Sequence, residues 1–269
     1  LAFDEILSSL LISSEIRKKI KKIKKKSKLF SDKSFINTIS KLSFKLTNDQ
    51  KSSLSQINKD LASKSKMFRL LQGDVGCGKT IVSILASSVV VENGYQVAIM
   101  APTDLLAKQL YKNFKTEYEK IGIECSLLVG SLKSKQKKEI LESIKEGKSK
   151  IIVGTHALFQ KDVIFKNLGL SIIDEQHRFG VNQRISIRNK GKKVDMLLMS
   201  ATPIPRTMLL ANLGDISVST VKQKPFNTKI NTILKSDRNI KKVISFIKEK
   251  IKYGRVFWIC PYIDSSTQE

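Results

Sequence analysis

Residues 73–80 read GDVGCGKT, and this octapeptide constrains the chain more than any other stretch. It follows an apolar run at 68–71 and opens directly into the apolar segment IVSILASSVVV. Such a sequence predicts a strand, a tight turn and a helix. Glycine at 73, 76 and 78 leaves the backbone N–H groups of the turn uncovered by Cβ atoms. They can then close around phosphate oxygens at the positive end of the helix. In that geometry Gly73, Asp74, Val75, Gly76, Cys77 and Gly78 cradle the phosphates, Lys79 reaches the β- and γ-phosphates, and Thr80 offers a hydroxyl to Mg²⁺. A nucleotide site is expected here.

From 45 to about 221, short apolar runs alternate with longer amphipathic ones. Residues 68–71, 97–100, 125–129, 151–153, 170–173 and 196–199 read as strands, and 79–92, 104–118 and 135–145 have helical periodicity. This alternation implies an α/β fold of the P-loop NTPase type, a parallel sheet with helices on both faces. Ligands of such sheets bind beyond the carboxyl ends of the strands, so functional residues are expected there. After 221 the polar KQKPFNTK reads as a hinge. A second β-α-β unit then opens, with a strand at 230–234, a helix at 240–253 and a strand at 256–260. One such unit cannot cover its own sheet, so the start of a truncated second domain is expected. The first residue is Leu1 rather than Met, and LAFDEILSSLL is too acidic and polar for a signal peptide. The chain is therefore expected to be cut from a longer protein.

The run 170–173 ends at Asp174 and Glu175. Phosphoryl transfer needs one carboxylate to hold Mg²⁺ and a second group to orient the attacking water, and adjacent acids at a strand end supply both. Asp174 is assigned to the metal and Glu175 to the water. Three other predicted strands run into hydroxyl-bearing turns: Ser200-Ala201-Thr202-Pro203, Ala101-Pro102-Thr103 and Gly154-Thr155-His156. Singly each is an ordinary N-cap. Together at one sheet edge they are what a phosphate-reading surface needs.

Charge points the same way less sharply. The 269 residues carry 49 Lys+Arg against 24 Asp+Glu, a net +25, which favours a polyanionic partner such as DNA. Only eight of the 49 are arginine, and a lysine excess of this kind also arises from an AT-rich genome. Residues 16–28, IRKKIKKIKKKSK, put Ile16, Ile20 and Ile23 on one helical face. The run fits a helix on a phosphate backbone or anionic membrane surface, and equally a connecting helix that docks its isoleucines and solvates its lysines. Cys77, Cys125 and Cys260 have no CxxC spacing, and His156 and His177 are the only histidines, so neither a disulfide framework nor a zinc site is expected. No stretch reaches the roughly 18 apolar residues of a membrane span. A reducing, cytoplasmic setting is expected.

At this point the motifs carry a resemblance. Gly73–Thr80, the box Asp174-Glu175-Gln176-His177 and Ser200-Ala201-Thr202 resemble motifs I, II and III of superfamily 2 helicases. More narrowly, LLQGDVGCGKT, MAPTDLLAKQ, IIDEQHRFGVNQR and SATPIPRT resemble the RecG family of bacterial branched-DNA helicases. LAFDEIL, the basic run and FKLTNDQ extend that resemblance over essentially the whole chain. The related transcription-repair coupling translocases share GDVG and SATPIPRT, but their box typically reads DEEQRFGV where this chain has DEQHRFGV.

The resemblance implies a RecA-like ATP-binding motor domain at 44–221. It is preceded at 1–43 by a basic helical linker from the end of a wedge domain, and followed at 222–269 by the hinge and the truncated start of a second RecA-like domain. Its ligands would be ATP and Mg²⁺, its partner branched or double-stranded DNA, and its state a monomer. Phe44 and Gln50 would meet the adenine. Gln176 and His177 would couple hydrolysis to Ser200 and Thr202, while Thr103, Gly130, Ser131 and Thr155 would lie along the nucleic-acid backbone. Arg206 is a candidate for nucleotide-dependent contacts, and Arg178 has no assigned role. Cys77 stands where the family more often has Ser; because its neighbours bind through the backbone the change is expected to matter little, with oxidation the one route by which it could block ATP. A complete second motor domain would bring arginine fingers, worth about 10³–10⁵ in turnover. The 269 residues alone are therefore expected to bind ATP–Mg²⁺ but to hydrolyse it poorly. The rival readings are a transcription-repair coupling translocase and a non-motor nucleotide-binding module.

Overall fold

The structure, a computed structural model, describes residues 24–29, 44–174, 193–202, 216–225 and 231–259. The chain divides into two compact units, Leu1–Phe226 and Asn227–Glu269. Among the described residues the first unit holds seven strands: β1 Phe68–Gly73, β2 Gln96–Met100, β3 Cys125–Leu128, β4 Ile151–Gly154, β5 Leu168–Ile173, β6 Asp195–Ser200 and β7 Ser217–Val221. They form one sheet in the order β3-β4-β2-β5-β6-β1-β7, parallel throughout. Four helices accompany it: α1 Asn48–Ala62, α2 Lys79–Glu92, α3 Asp104–Glu119 and α4 Ser134–Glu146.

The strands read as continuous apolar runs because both faces of the sheet are covered. Period-two alternation sends Leu71, Val97, Ile99, Ile172 and Leu197 into a core shared with α1, α2 and α3. Leu70, Met100, Ile152, Ile173 and Leu198 face the opposite core, closed by Ile144 of α4 with Leu158 and Val163. Helix α2 is buried from Val82 to Val91, including three serines. Their hydroxyls donate to carbonyls of their own helix, Ser83 to Thr80, Ser87 to Ser83 and Ser88 to Leu85, each at 2.7 Å. That satisfies the three hydroxyls as donors within the helix itself.

The six strands expected before 221 and the helices α2, α3 and α4 fall where periodicity puts them. Helix α1 and strand β7 were not expected. Helix α1 starts in a capping box: the Gln50 amide donates to the Thr47 hydroxyl at 3.3 Å, and the Thr47 amide donates to Gln50 Oε1 at 2.9 Å. Strand β7 extends the sheet beyond β1 and is tied to α1 by a polar cluster around the buried Arg69 and Ser219. There Arg69 bonds Asp60, Gln56 and Ser219 at 2.8, 3.1 and 2.8 Å.

The basic run ends differently from its helical expectation. Residues 24–29 form no helix: Lys24 makes an isolated bridge to Ser65, and the segment lies against the amino end of the sheet. Lys25 and Lys28 are buried rather than solvated, because both ammonium groups close on the fully buried Asp195 carboxylate at 2.9 and 2.6 Å. Asn93, at the end of α2, clasps the backbone of Leu29 through both ends of its amide. Ile16, Ile20 and Ile23 lie outside the described residues.

The second unit also departs from expectation. Its helix forms as α5, Ile240–Lys250, but the described residues of the two expected strands, 231–234 and 256–259, carry no strand. A strand needs a neighbour's backbone to pair with. Without one, Leu234, Phe257 and Ile259 stand exposed and α5 buries no residue.

Candidate functional site

Because all seven strands are parallel, their carboxyl ends share one edge, and the sequence motifs collect there. Gly73 closes β1, Met100 β2, Leu128 β3, Gly154 β4, Ile173 β5 and Ser200 β6. The order β5-β6-β1 puts Ser200 between Asp174 and the P-loop, with β5 and β1 about 10 Å apart, two strand spacings. On the other side, β2, β4 and β3 bring Thr103, Thr155 and Gly130–Ser131 to the same edge.

The loop after β1 needs its glycines. A Cβ on Gly73 would lie 2.5 Å from Cys77 Sγ and 2.6 Å from the Val221 carbonyl oxygen. Gly78 has φ +88°, in the left-handed region, and a Cβ there would collide with the Gln50 amide. Gly78 is also the N-cap of α2 and offers no side-chain acceptor, unlike Thr47 before α1 and Thr103 before α3. The first amides of α2 are thus left for an external acceptor, which is the requirement of an anion site. Lys79 Nζ donates to the carbonyls of Gly73 at 2.6 Å and Asp74 at 3.2 Å, folding its charge over the loop. Cys77 is fully buried with its sulfur toward Gly73, so an oxidant reaches it only if the loop opens.

A cavity of about 370 Å³ adjoins the loop, within the range of nucleotide-sized pockets. Phe44, 44% exposed, lines it with Gln50, Gly78, Thr80, Ile81 and Pro225, and the far wall comes from Lys112, Asn113, Thr116 and Glu117 of α3. Gln50 is almost fully buried. One end of its amide closes the capping box, and its Nε2 donates to the Cys77 carbonyl at 2.8 Å. Gln50 thus joins the start of α1 to the P-loop, with a second N–H and a second lone pair left over.

Asp174 is half-buried at the end of β5, and its amide donates to the Met100 carbonyl at 2.9 Å. Ser200 is buried, and its hydroxyl bonds the Thr202 carbonyl at 3.0 Å and lies 3.2 Å from the Thr202 hydroxyl, which closes the turn after β6. Thr103, Gly130 and Ser131 are exposed. The Thr103 hydroxyl accepts from the Leu106 amide, and Ser131 Oγ donates to Asp104 Oδ2 at 2.9 Å. Thr155 is 2% exposed, and its hydroxyl has no partner. Glu175, Gln176, His177, Arg178 and Arg206 lie outside the described residues.

Several residues of this edge carry no motif in the sequence. Asp49, Gln223 and Lys224 bind the segment after β7 to α1 and to the loop. The first-turn acid after Thr47 was the one local hint.

A glycine loop over an uncapped helix N-terminus, at the carboxyl edge of a parallel sheet, defines a P-loop nucleotide-binding domain. The chain belongs to the DEAD/DEAH box helicase family, whose model matches residues 47–210. It is similar to the ATP-dependent DNA helicase RecG of Borreliella burgdorferi, 51% identical over 85% of this chain, and to that of Thermotoga maritima, 42% identical over 99%. It spans about a third of the length of these curated relatives, 34% of each. Among solved structures it resembles RecG bound to a three-way DNA junction, with a TM-score of 0.81 and 41% identity over 93% of this chain and 34% of the other. Among the described residues no helix is long and apolar enough to cross a membrane.

Proposed function

We propose that this chain is the ATP-binding motor domain of a RecG-like DNA helicase, which couples ATP hydrolysis to the remodelling of branched DNA such as stalled forks and Holliday junctions. The observation that carries this reading is the single sheet edge. The P-loop, Ser200–Thr202 and Asp174 follow one another along β1, β6 and β5, and the hydroxyl-bearing turns of β2, β4 and β3 continue the row. The matched relatives are helicases that share this stretch of sequence.

In this reading Lys79 leaves the carbonyls of Gly73 and Asp74 for the β- and γ-phosphates, while the α2 amides hold the remaining oxygens. Phe44 packs on the adenine and Gln50 uses its spare hydrogen-bonding capacity on it. Thr80 and Asp174 would hold Mg²⁺, and a hydroxyl and a carboxylate are oxygen donors suited to so hard a cation. Once bound, Mg²⁺ neutralises charge on the transferring phosphoryl group. Glu175 orients the attacking water. Gln176 and His177 relay the state of the nucleotide to Ser200 and Thr202, between the two halves of the edge. Thr103, Gly130 and Ser131 line the nucleic-acid backbone, with Thr155 beneath them. The protein would work as a monomer in the cytoplasm.

The test is ATP turnover by the full-length protein on branched DNA, for the parent and for Glu175→Gln. The variant is expected to keep Mg·ATP binding and to lose turnover by on the order of 10²-fold or more, the scale of a removed proton-handling group. An unchanged rate would remove the enzymatic reading.

A further inference from the structure

The segment that follows β7, residues 222–225, is built into the nucleotide site. Asp49 Oδ2 accepts from the amides of Lys222 at 2.8 Å and Gln223 at 2.9 Å. In return, Gln223 Oε1 accepts from the first α1 amides, Asn48 at 3.1 Å and Asp49 at 3.4 Å. Lys224 Nζ lies 2.7 Å from Asp74 Oδ2 on the P-loop, and Pro225 lines the cavity. Asp74 turns its other oxygen to its own loop, accepting from the Val75 amide at 2.7 Å. Both carboxylates are held below their usual range, Asp49 by the Gln223 and Lys222 amides, Asp74 first by Lys224 and then by Val75.

Asp74 is an oddity in a loop that binds a polyanion. Its carboxylate sits beside the phosphate cradle, where an unbalanced negative charge opposes binding. The cation that balances it, Lys224, comes from the segment expected to be the hinge. Lys79 donates to the carbonyls of Gly73 and Asp74 and adds only a smaller pull on this side chain than Lys224 does.

We propose that Lys224 is a positioning residue of the nucleotide site. It cancels the Asp74 carboxylate at the rim of the cradle, and through this pair the segment 222–225 senses whether the cradle is filled. The inference rests on the phosphate-binding reading of the P-loop and extends it. When a polyanion enters beside Asp74, the two negative groups repel and the carboxylate is held more firmly by Lys224. The segment is then drawn more tightly onto α1 and the loop.

The experiment titrates Mg·ADP carrying a fluorescent ribose label into the full-length protein at low salt. Lys224→Met is expected to weaken binding about two- to fivefold, the scale of an exposed ion pair, and the effect should shrink as salt rises. Lys224→Arg should recover it. In an Asp74→Asn background Lys224→Met should have no further effect, because the charge it balanced is gone. Hydrogen exchange at the Lys222 and Gln223 amides should slow when the probe binds the parent, and slow less in Lys224→Met. Unchanged affinity in Lys224→Met overturns the proposal. So does an equal loss in the Asp74→Asn background, which would mean that Lys224 acts on the phosphates directly. Exchange at 222–225 that ignores the probe overturns the sensing claim. If the parent itself fails to bind the probe, the phosphate-binding reading falls as well; if the parent binds and the variants match it, this inference alone falls.

Discussion

Replacing Asp195 with alanine is expected to destabilise the first unit by about 3–5 kcal/mol, the cost of removing one partner from a buried ion pair. Asp195 begins β6, at the end of the sheet away from the nucleotide loop, and it is fully buried. One carboxylate oxygen accepts from Lys25 and Lys28, and the other from the Met67 amide at 2.7 Å. Lys25 also donates to the carbonyls of Leu61 at 2.7 Å and Asp60 at 3.1 Å, and the Lys28 ammonium lies 5.0 Å from the centre of the Tyr95 ring. Burial pushes the Lys25 ammonium below its ordinary value, with Asp195 opposing the shift and Lys28 adding to it. Without the carboxylate, two ammonium groups would remain in a water-poor site together with an unsatisfied amide. A urea titration followed by circular dichroism reads the loss as a lower midpoint. Adding Lys25→Met and Lys28→Met to Asp195→Ala should recover most of it, since apolar replacements remove the stranded charges. An Asp195→Ala protein within about 0.5 kcal/mol of the parent, the range of an ordinary surface substitution, would mean that the cluster is not buried as described.

Replacing Lys79 with alanine is expected to have the largest effect on chemistry. ATP turnover by the full-length protein should fall on the order of 10²–10³-fold, the cost of losing a preorganised group that meets developing negative charge. The fold should survive. Lys79 is only half-buried and its bonds go to two carbonyls of its own loop, so the unfolding midpoint should stay close to that of the parent. The measurement pairs a phosphate-release assay with a denaturation curve on the same sample. A rate within a few-fold of the parent would deny Lys79 its place at the phosphates. A collapsed midpoint would instead make it a structural residue.

Much of this architecture was readable where local pattern and tertiary outcome agree. The octapeptide 73–80 sits between β1 and α2 as its glycines require, and the apolar runs became strands covered on both faces. The gathering of motifs at one edge followed from the parallel sheet alone. What escaped was set by partners far away in sequence. Lys25 and Lys28 lie in a run whose pattern assigns charges to solvent, while the carboxylate that buries them is about 170 residues on. Helix α1 is mostly polar, and its start at Thr47-x-x-Gln50 was read for its glutamine rather than as a capping box. Strand β7 is short and half polar, and only its pairing with β1 makes it a strand. The described residues of the second unit's expected strands show the converse, apolar runs that pair with no described neighbour.

The lysine excess also changes meaning. Lys25 and Lys28 hold the chain to the back of the sheet, and Lys224 answers a loop aspartate. Net charge alone therefore overstates how much of the surface is available to nucleic acid.

In the proposed function, nucleotide and DNA occupy two halves of one sheet edge and are coupled across it. The most direct test is the Kd of the full-length protein for Mg²⁺ and a non-hydrolysable ATP analogue, with and without a saturating three-way DNA junction. Coupling through Ser200–Thr202 predicts a shift of about fivefold or more, matched by an equal shift in junction affinity when the analogue is present. Identical affinities in both titrations would contradict it.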